Sequence, residues 1–164
     1  MQWAMDTPYR PAESSPSVIK VHMDGCYELI GLIRATSDFT LGQAVQHFES
    51  RTYTQLRKPI RAELLSTDDG PSSTGFRVWY DTWAITAWVE SGPDVVDDNR
   101  YLSEEPDLPA SAQVVAGCLL RLSIRSDVDA PSFDNSDNFT DYTDELRERF
   151  GVLLRDNVNG GWWT

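Results

Sequence analysis

The sequence predicts an α+β domain: a mainly antiparallel β-sheet with helices packed on one face. Three observations lead there. Several runs of large apolar residues alternate with polar ones at the period of a strand. Two segments repeat apolar residues at three- and four-residue spacing behind helix-capping residues. These two kinds of segment do not follow one another in the regular strand–helix–strand rhythm of a parallel sheet. A chain of 164 residues fits one domain, and the expected organisation is a loose arm over residues 1–17 followed by a single domain over 18–164.

The arm is expected from Pro8, Pro11 and Pro16 among serines. Val18–Met23 and Cys26–Ile33 flank Asp24-Gly25, a pair suited to the positive φ angles of a tight hairpin turn. A first helix follows: Thr40 caps it, and Leu41, Ala44, Val45 and Phe48 share one face. Ile60–Ser66 reads as a strand and Thr67–Gly75 as a polar turn. Phe76, Val78 and Tyr80 alternate with Arg77, Trp79 and Asp81. Trp83, Ile85, Ala87 and Val89 alternate with Ala84, Thr86 and Trp88. These two runs form a second hairpin about Asp81-Thr82, with Trp79 and Trp88 on one face together. Asp94–Glu105 reads as a short helix ending before Pro106. Pro109–Cys118 fits either helix or strand. Leu120–Arg125 is a strand with Arg121 and Arg125 facing away from its leucines. A polar loop over 126–138 leads to a helix near Tyr142–Phe150, capped by Thr140 or Asp141. Val152–Leu154 is a last strand, and Asn159-Gly160-Gly161 turns the chain before Trp162-Trp163.

Charge is the strongest functional signal. Residues 94–148 hold 14 Asp or Glu against 4 Arg, while the rest of the chain holds 12 acids and 10 bases. Most of the net −12 therefore lies in one third of the sequence. Such a field repels nucleic acid and anionic lipid and attracts basic surfaces. No apolar run reaches the ~20 residues of a membrane helix, and Met1–Ser17 lacks the basic and apolar regions of a secretory signal. The expected location is the cytoplasm, with Cys26 and Cys118 as buried thiols.

Signatures of catalysis are missing. His22, His47, Cys26 and Cys118 are dispersed rather than set at metal-ligand spacing. There is no Gly-x-Ser-x-Gly nucleophile turn and no phosphate-binding glycine loop. A twelve-residue calcium loop from Asp134 to Glu145 has acids at useful positions, but Phe139 stands where its turn glycine belongs. The expectation is a protein without cofactor, metal site or catalytic activity. The basic cluster Arg51, Arg57, Lys58 and Arg61 is expected to pair with acidic residues inside the fold or across a homodimer.

The order of features from Phe76 to Trp163 carries a resemblance. An aromatic hairpin around Trp79-Tyr-Asp-Thr-Trp83 precedes an acidic helix. A strand ending Ser123-Ile-Arg-Ser-Asp127 and an Asp/Asn-rich loop follow, then a helix and Val152-Leu-Leu-Arg-Asp156 before a glycine turn. This arrangement resembles the small acidic immunity proteins encoded beside secreted bacterial toxins. The resemblance implies binding and neutralisation of one cognate toxin with a basic surface. The implied contact residues are Asp94, Asp97, Asp98, Glu104, Glu105, Asp127, Asp129, Asp134 and Asp137, with Trp79 and Trp88 as aromatic anchors. Two alternatives stay open: a nucleic-acid mimic that inhibits a defence or restriction enzyme, and an enzyme that uses carboxylates or a metal.

Overall fold

The computed structural model describes residues 25–53, 58–67, 73–130 and 134–163. The expected arm and the Val18–Met23 strand lie outside them. The elements are β1 (Glu28–Ile33), α1 (Leu41–Glu49), β2 (Thr52–Tyr53), β3 (Lys58–Pro59), β4 (Arg61–Thr67), β5 (Ser73–Tyr80) and β6 (Trp83–Ser91). Then come α2 (Pro93–Leu102), β7 (Leu120–Ser126), α3 (Ser136–Phe150), β8 (Leu153–Asp156) and β9 (Trp162–Trp163). Seven strands form one antiparallel sheet in the order β4-β5-β6-β7-β1-β8-β9, and β2 pairs with β3 apart from it. The α+β class is therefore as the sequence predicts.

Both edges of β1 are occupied, by β7 and β8, and Gly25 takes a positive φ of 76°; the strand expected before Asp24-Gly25 lies outside the described residues. The helices, expected on one face, divide between the two. α1 and α3 cover one face, as predicted. α2 and two 3-10 turns, Ala110–Ala112 and Val115–Gly117, close one end of the other. The ambiguous 109–118 stretch is thus neither strand nor α-helix.

The helix-covered face is the main core. In α1, Thr40 Oγ1 accepts from the Gln43 N–H, and the predicted apolar stripe turns Ala44 and Phe48 fully inward. Phe76 of β5 lies below, with its ring 6.2 Å from Phe48 and 6.3 Å from Tyr142 of α3. Phe48 and Tyr142 stack at 5.1 Å, and Phe139 stacks on Tyr27 at 4.7 Å. Cross-strand pairs such as Val78–Ile85 and Ala87–Ile124 fill the sheet side. The smaller core on the opposite face gathers Leu32, Ala112, Val115, Cys118 and Leu153.

α3 starts six residues earlier than the sequence pattern suggests. Thr140 is therefore inside the helix, bonded to the Ser136 carbonyl, and is not its cap. Asp134 Oδ1 accepts from the Ser136 N–H at the helix entrance instead. Helical backbone from Ser136 onward replaces the loop that a calcium site over 134–145 would require.

The Tyr142 hydroxyl is buried and has no hydrogen-bond partner among the described residues, and burial pushes its pKa upward. Tyr142→Phe removes an unsatisfied polar group and keeps the ring, so it should stabilise the fold by about 1 kcal/mol. Phe76→Ala should cost about 3–5 kcal/mol. Urea denaturation midpoints measure both, and a destabilised Tyr142→Phe would show that its hydroxyl is satisfied.

Candidate functional site

The acidic residues of α2 are arranged by the helix period. Gly92, at φ 119°, turns the chain out of β6 and Pro93 opens the helix. Val95 and Asn99 point inward, and Asn99 Nδ2 donates to the Cys118 carbonyl at 2.7 Å. The outward positions Asp94, Asp97 and Tyr101 recur at three- and four-residue steps, and Glu104 is exposed in the turn just past the helix, so that the acids form a stripe beside the exposed Arg100. Tyr101 is 75% exposed within it. Asp98, beside the stripe, accepts from Arg121 Nη1 at 3.0 Å, while Glu90 accepts from Arg121 Nε at 2.6 Å. These contacts hold α2 against β6 and β7.

Glu105 is committed inside the molecule. It accepts from Arg155 Nη2 at 2.6 Å and from the Trp162 indole at 3.0 Å. Partial burial opposes its ionisation. The two hydrogen bonds and the Arg155 charge outweigh that effect and hold its carboxyl below the usual value.

The second acidic group organises the entrance to α3. Asp127 accepts from the Ala84 N–H at 3.1 Å. Asp129 accepts from the Asn135 backbone and side chain. Asp134 accepts from the Ser136 N–H at 2.8 Å and the Tyr27 hydroxyl at 3.2 Å, and the Ser136 bond leads in lowering its pKa. Asp137 is exposed in the first turn of α3, where the helix dipole favours an anion. β7 separates this group from α2, since Asp98 meets its beginning and Asp127 follows its end. That is about 20 Å of strand. The predicted carboxylates thus form two groups. Asp94, Asp97 and Glu104 present themselves outward, Asp97 pairing with the equally exposed Arg100 at 3.5 Å, whereas Asp98, Glu105, Asp127, Asp129 and Asp134 bond inward to the protein.

Trp79 and Trp88 share a face, as the alternation predicts, and both are half-buried. That face is the part of the sheet that α2 leaves uncovered. Arg61 and Arg77 lie over the Trp79 ring, 4.7 and 5.6 Å from its centre. Trp88 crosses Gly75 on the neighbouring strand; a Cβ there would stand 2.9 Å from Trp88 Cε3 and 2.3 Å from the Ala87 carbonyl. The tryptophans therefore sit among arginines and not within the acidic stripe.

One polar cluster escaped the sequence reading. His47 Nε2 lies 2.5 Å from Glu145 Oε2, Arg51 binds Glu145 and Asp141, and the Tyr80 hydroxyl reaches Asp141 at 3.5 Å. Burial is the main cause of the raised Asp141 pKa, opposed by Arg51. The cluster fastens α1 to α3 over the main core. Arg51 thus finds the acidic partner inside the fold that the sequence anticipates. Its helical neighbours gave a faint signal, because 47 and 51 are one turn apart in one segment and 141 and 145 in the other. Tyr101 was also missed, although its place seven residues after Asp94 was visible.

Among the described residues, no group of three or more His, Cys, Asp or Glu side chains is placed to hold a metal ion. Cys26 and Cys118 are buried and unlinked, and no described helix is long and apolar enough to cross a membrane. Searches of protein-family models, curated proteins and solved structures returned no match.

The lowered pKa of Glu105 sets a pH dependence. The stability it contributes is fully present above the ordinary carboxylate pKa of 4.5 and is lost as pH falls through the lower folded value. Glu105→Gln should therefore be less stable than the parent at pH 7, with the gap closing below pH 4.5. Thermal melts of both proteins across that range measure it, and a gap independent of pH would contradict the ionised contact.

Proposed function

We propose that this protein is a non-enzymatic inhibitor of the toxin-immunity kind, acting in the cytoplasm by binding one cognate toxin with a basic surface. The observation that carries the reading is the stripe of Asp94, Asp97 and Glu104 around the exposed ring of Tyr101. Carboxylates in a row meet a basic cleft as substrate phosphates would, and their field speeds encounter. A tyrosine among them supplies the apolar contact that slows release. Asn99, Asp98 and Arg121 fix α2 on the sheet, so little ordering remains to be done on binding.

The reading differs from the expectation in one respect. The contact surface is the α2 stripe, with Glu105 and the Asp127–Asp134 group supporting the fold around it. A nucleic-acid mimic is less well supported, because it needs an unbroken row of carboxylates. Here an arginine-bearing sheet face separates the two acidic groups.

The test is a calorimetric titration against the product of the adjacent gene, with a growth assay in cells expressing both. The expected result is a tight, salt-sensitive complex and rescue of growth. The D94K/D97K/E104K variant should lower the association rate at least tenfold. Tyr101→Ala should cost about 2 kcal/mol of affinity, mostly as faster dissociation. Absence of both binding and rescue overturns the proposal.

A further inference from the structure

A cavity lies just past the C-terminal end of the acidic stripe. The chain leaves α2 at Leu102 and turns twice, the Glu105 N–H donating to the Leu102 carbonyl and the Leu108 N–H to the Glu105 carbonyl. Facing it is the turn between β8 and β9, which Asp156 holds. The Asp156 N–H donates to the Gly161 carbonyl at 2.7 Å, and its carboxylate accepts from the Val158 and Asn159 N–H groups at 2.9 Å. Between the two turns is a space of about 440 Å³, open to solvent. Pro106 and Pro109 line it from the first turn, Gly160 and Gly161 from the second, and Trp162 from β9. The remaining lining groups are two acids, Glu105 and Asp107, with no base among them.

The two acids differ in their commitments. Glu105 accepts from Arg155 Nη2 and from the Trp162 indole N–H. The Arg155 side chain, only 13% exposed, stands behind Glu105 and balances its charge. Asp107 is exposed and, among the described residues, has no ion pair or side-chain hydrogen bond. Glu104, at the end of the α2 stripe, is exposed in the same way. The mouth of the cavity therefore carries an unbalanced negative charge. Beside it is an indole whose N–H edge is already fixed, so its position is set before any ligand arrives.

We propose that this cavity seats one arginine side chain of a basic protein partner. The guanidinium lies against the Trp162 ring and donates to Asp107, and its aliphatic stem rests on Pro106 and Pro109. A cation over an indole is attracted by the negative face of the ring. The planar guanidinium also stacks there, which a lysine ammonium does not, and its bonds to a carboxylate are charge-assisted. An anionic occupant meets repulsion from Asp107, and an apolar one leaves that carboxylate covered and unpaired. Both walls are turns closed by backbone hydrogen bonds, so little ordering is lost on binding. For its partner the inference rests on the toxin-binding reading: Glu104 joins the stripe to the mouth, and a basic surface laid along α2 ends over the cavity.

The experiment uses the full chain and a capped Gly-Arg-Gly peptide. The Trp162 indole N–H resonance is followed by NMR and assigned through Trp162→Phe. It should shift saturably, while that of Trp79, five strands away in the sheet, stays in place. A capped Gly-citrulline-Gly peptide, which keeps the shape of arginine without its charge, should leave both in place. Asp107→Asn, at an exposed position without a described partner, should weaken binding at least threefold. Asp137→Asn removes the same charge from the start of α3, on the other face of the sheet, and should leave binding nearly unchanged, which separates a local contact from the net field. No saturable shift of Trp162, an equal response to the citrulline peptide, or equal losses from Asp107→Asn and Asp137→Asn overturns the proposal. The assay contains no toxin, so the two readings fail separately. Binding of the arginine peptide by a protein that ignores the adjacent gene product upholds the cavity as an arginine site and removes only the toxin.

Discussion

The aromatic stack between the helices and the sheet is the constraint on which the rest of the molecule depends. Tyr27, Phe139, Tyr142, Phe48 and Phe76 follow one another in contact, the first pair at 4.7 Å and Phe48 with Tyr142 at 5.1 Å. The five come from the approach to β1, from α3, from α1 and from β5. No two of those elements can shift without opening a gap between flat rings, and a gap of a fraction of an ångström already forfeits much of the attraction. The His47–Glu145–Arg51–Asp141 cluster closes the top of the same layer. It sits where the rings meet solvent, so its charges stay partly hydrated while they set the lateral position of one helix against the other.

Locking one side of the sheet in this way leaves the other with far less packing among the described residues. Among the described residues the second face has a small core at one end, under α2 and the 110–118 segment. α2 therefore stands as an outwork whose inner side is anchored by Asn99 and whose outer side is unrestrained by packing. Next to it the sheet shows arginines and tryptophans. The arginines of that face are matched by Glu28, Glu63 and Asp127, so its charge is mixed where that of the α2 stripe is mainly acidic.

The parts of the fold that could be read in the sequence were those governed by local rules. The cap at Thr40, the stripe through Phe48, the hairpin about Asp81-Thr82 and the alternation in β7 each follow from a short period or a turn preference. Asp81 takes a positive φ of 60° there, a conformation its short polar side chain tolerates. Readings failed where distant contacts decide. The start of α3 is set by Asp134, Asp129 and Tyr27, which no local pattern links. The neighbours of β1 are set by β7 and β8, some ninety and more than a hundred residues away. The charge bias pointed to the right region for the acidic stripe but could not tell outward acids from those that bond inward, since that depends on Arg121, Arg155 and Asn135. The charges beside Trp79 and Trp88 were hidden for the same reason: Arg61, Arg77 and Arg125, with Glu63, Glu28 and Asp127, come from separate strands and converge only through pairing.

The place of β1 also bears on how the molecule is made. This first described strand lies between β7 and β8, which follow it by some ninety and more than a hundred residues. During synthesis β1 can hydrogen-bond on neither side until β7 has left the ribosome, and on its second side only after β8 has. For most of translation its run of Leu29, Ile30, Leu32 and Ile33 is an unsatisfied, sticky edge. A sheet whose central strand waits on two partners this far along the sequence closes late in folding, and slow closure is the cost of so non-local a pairing.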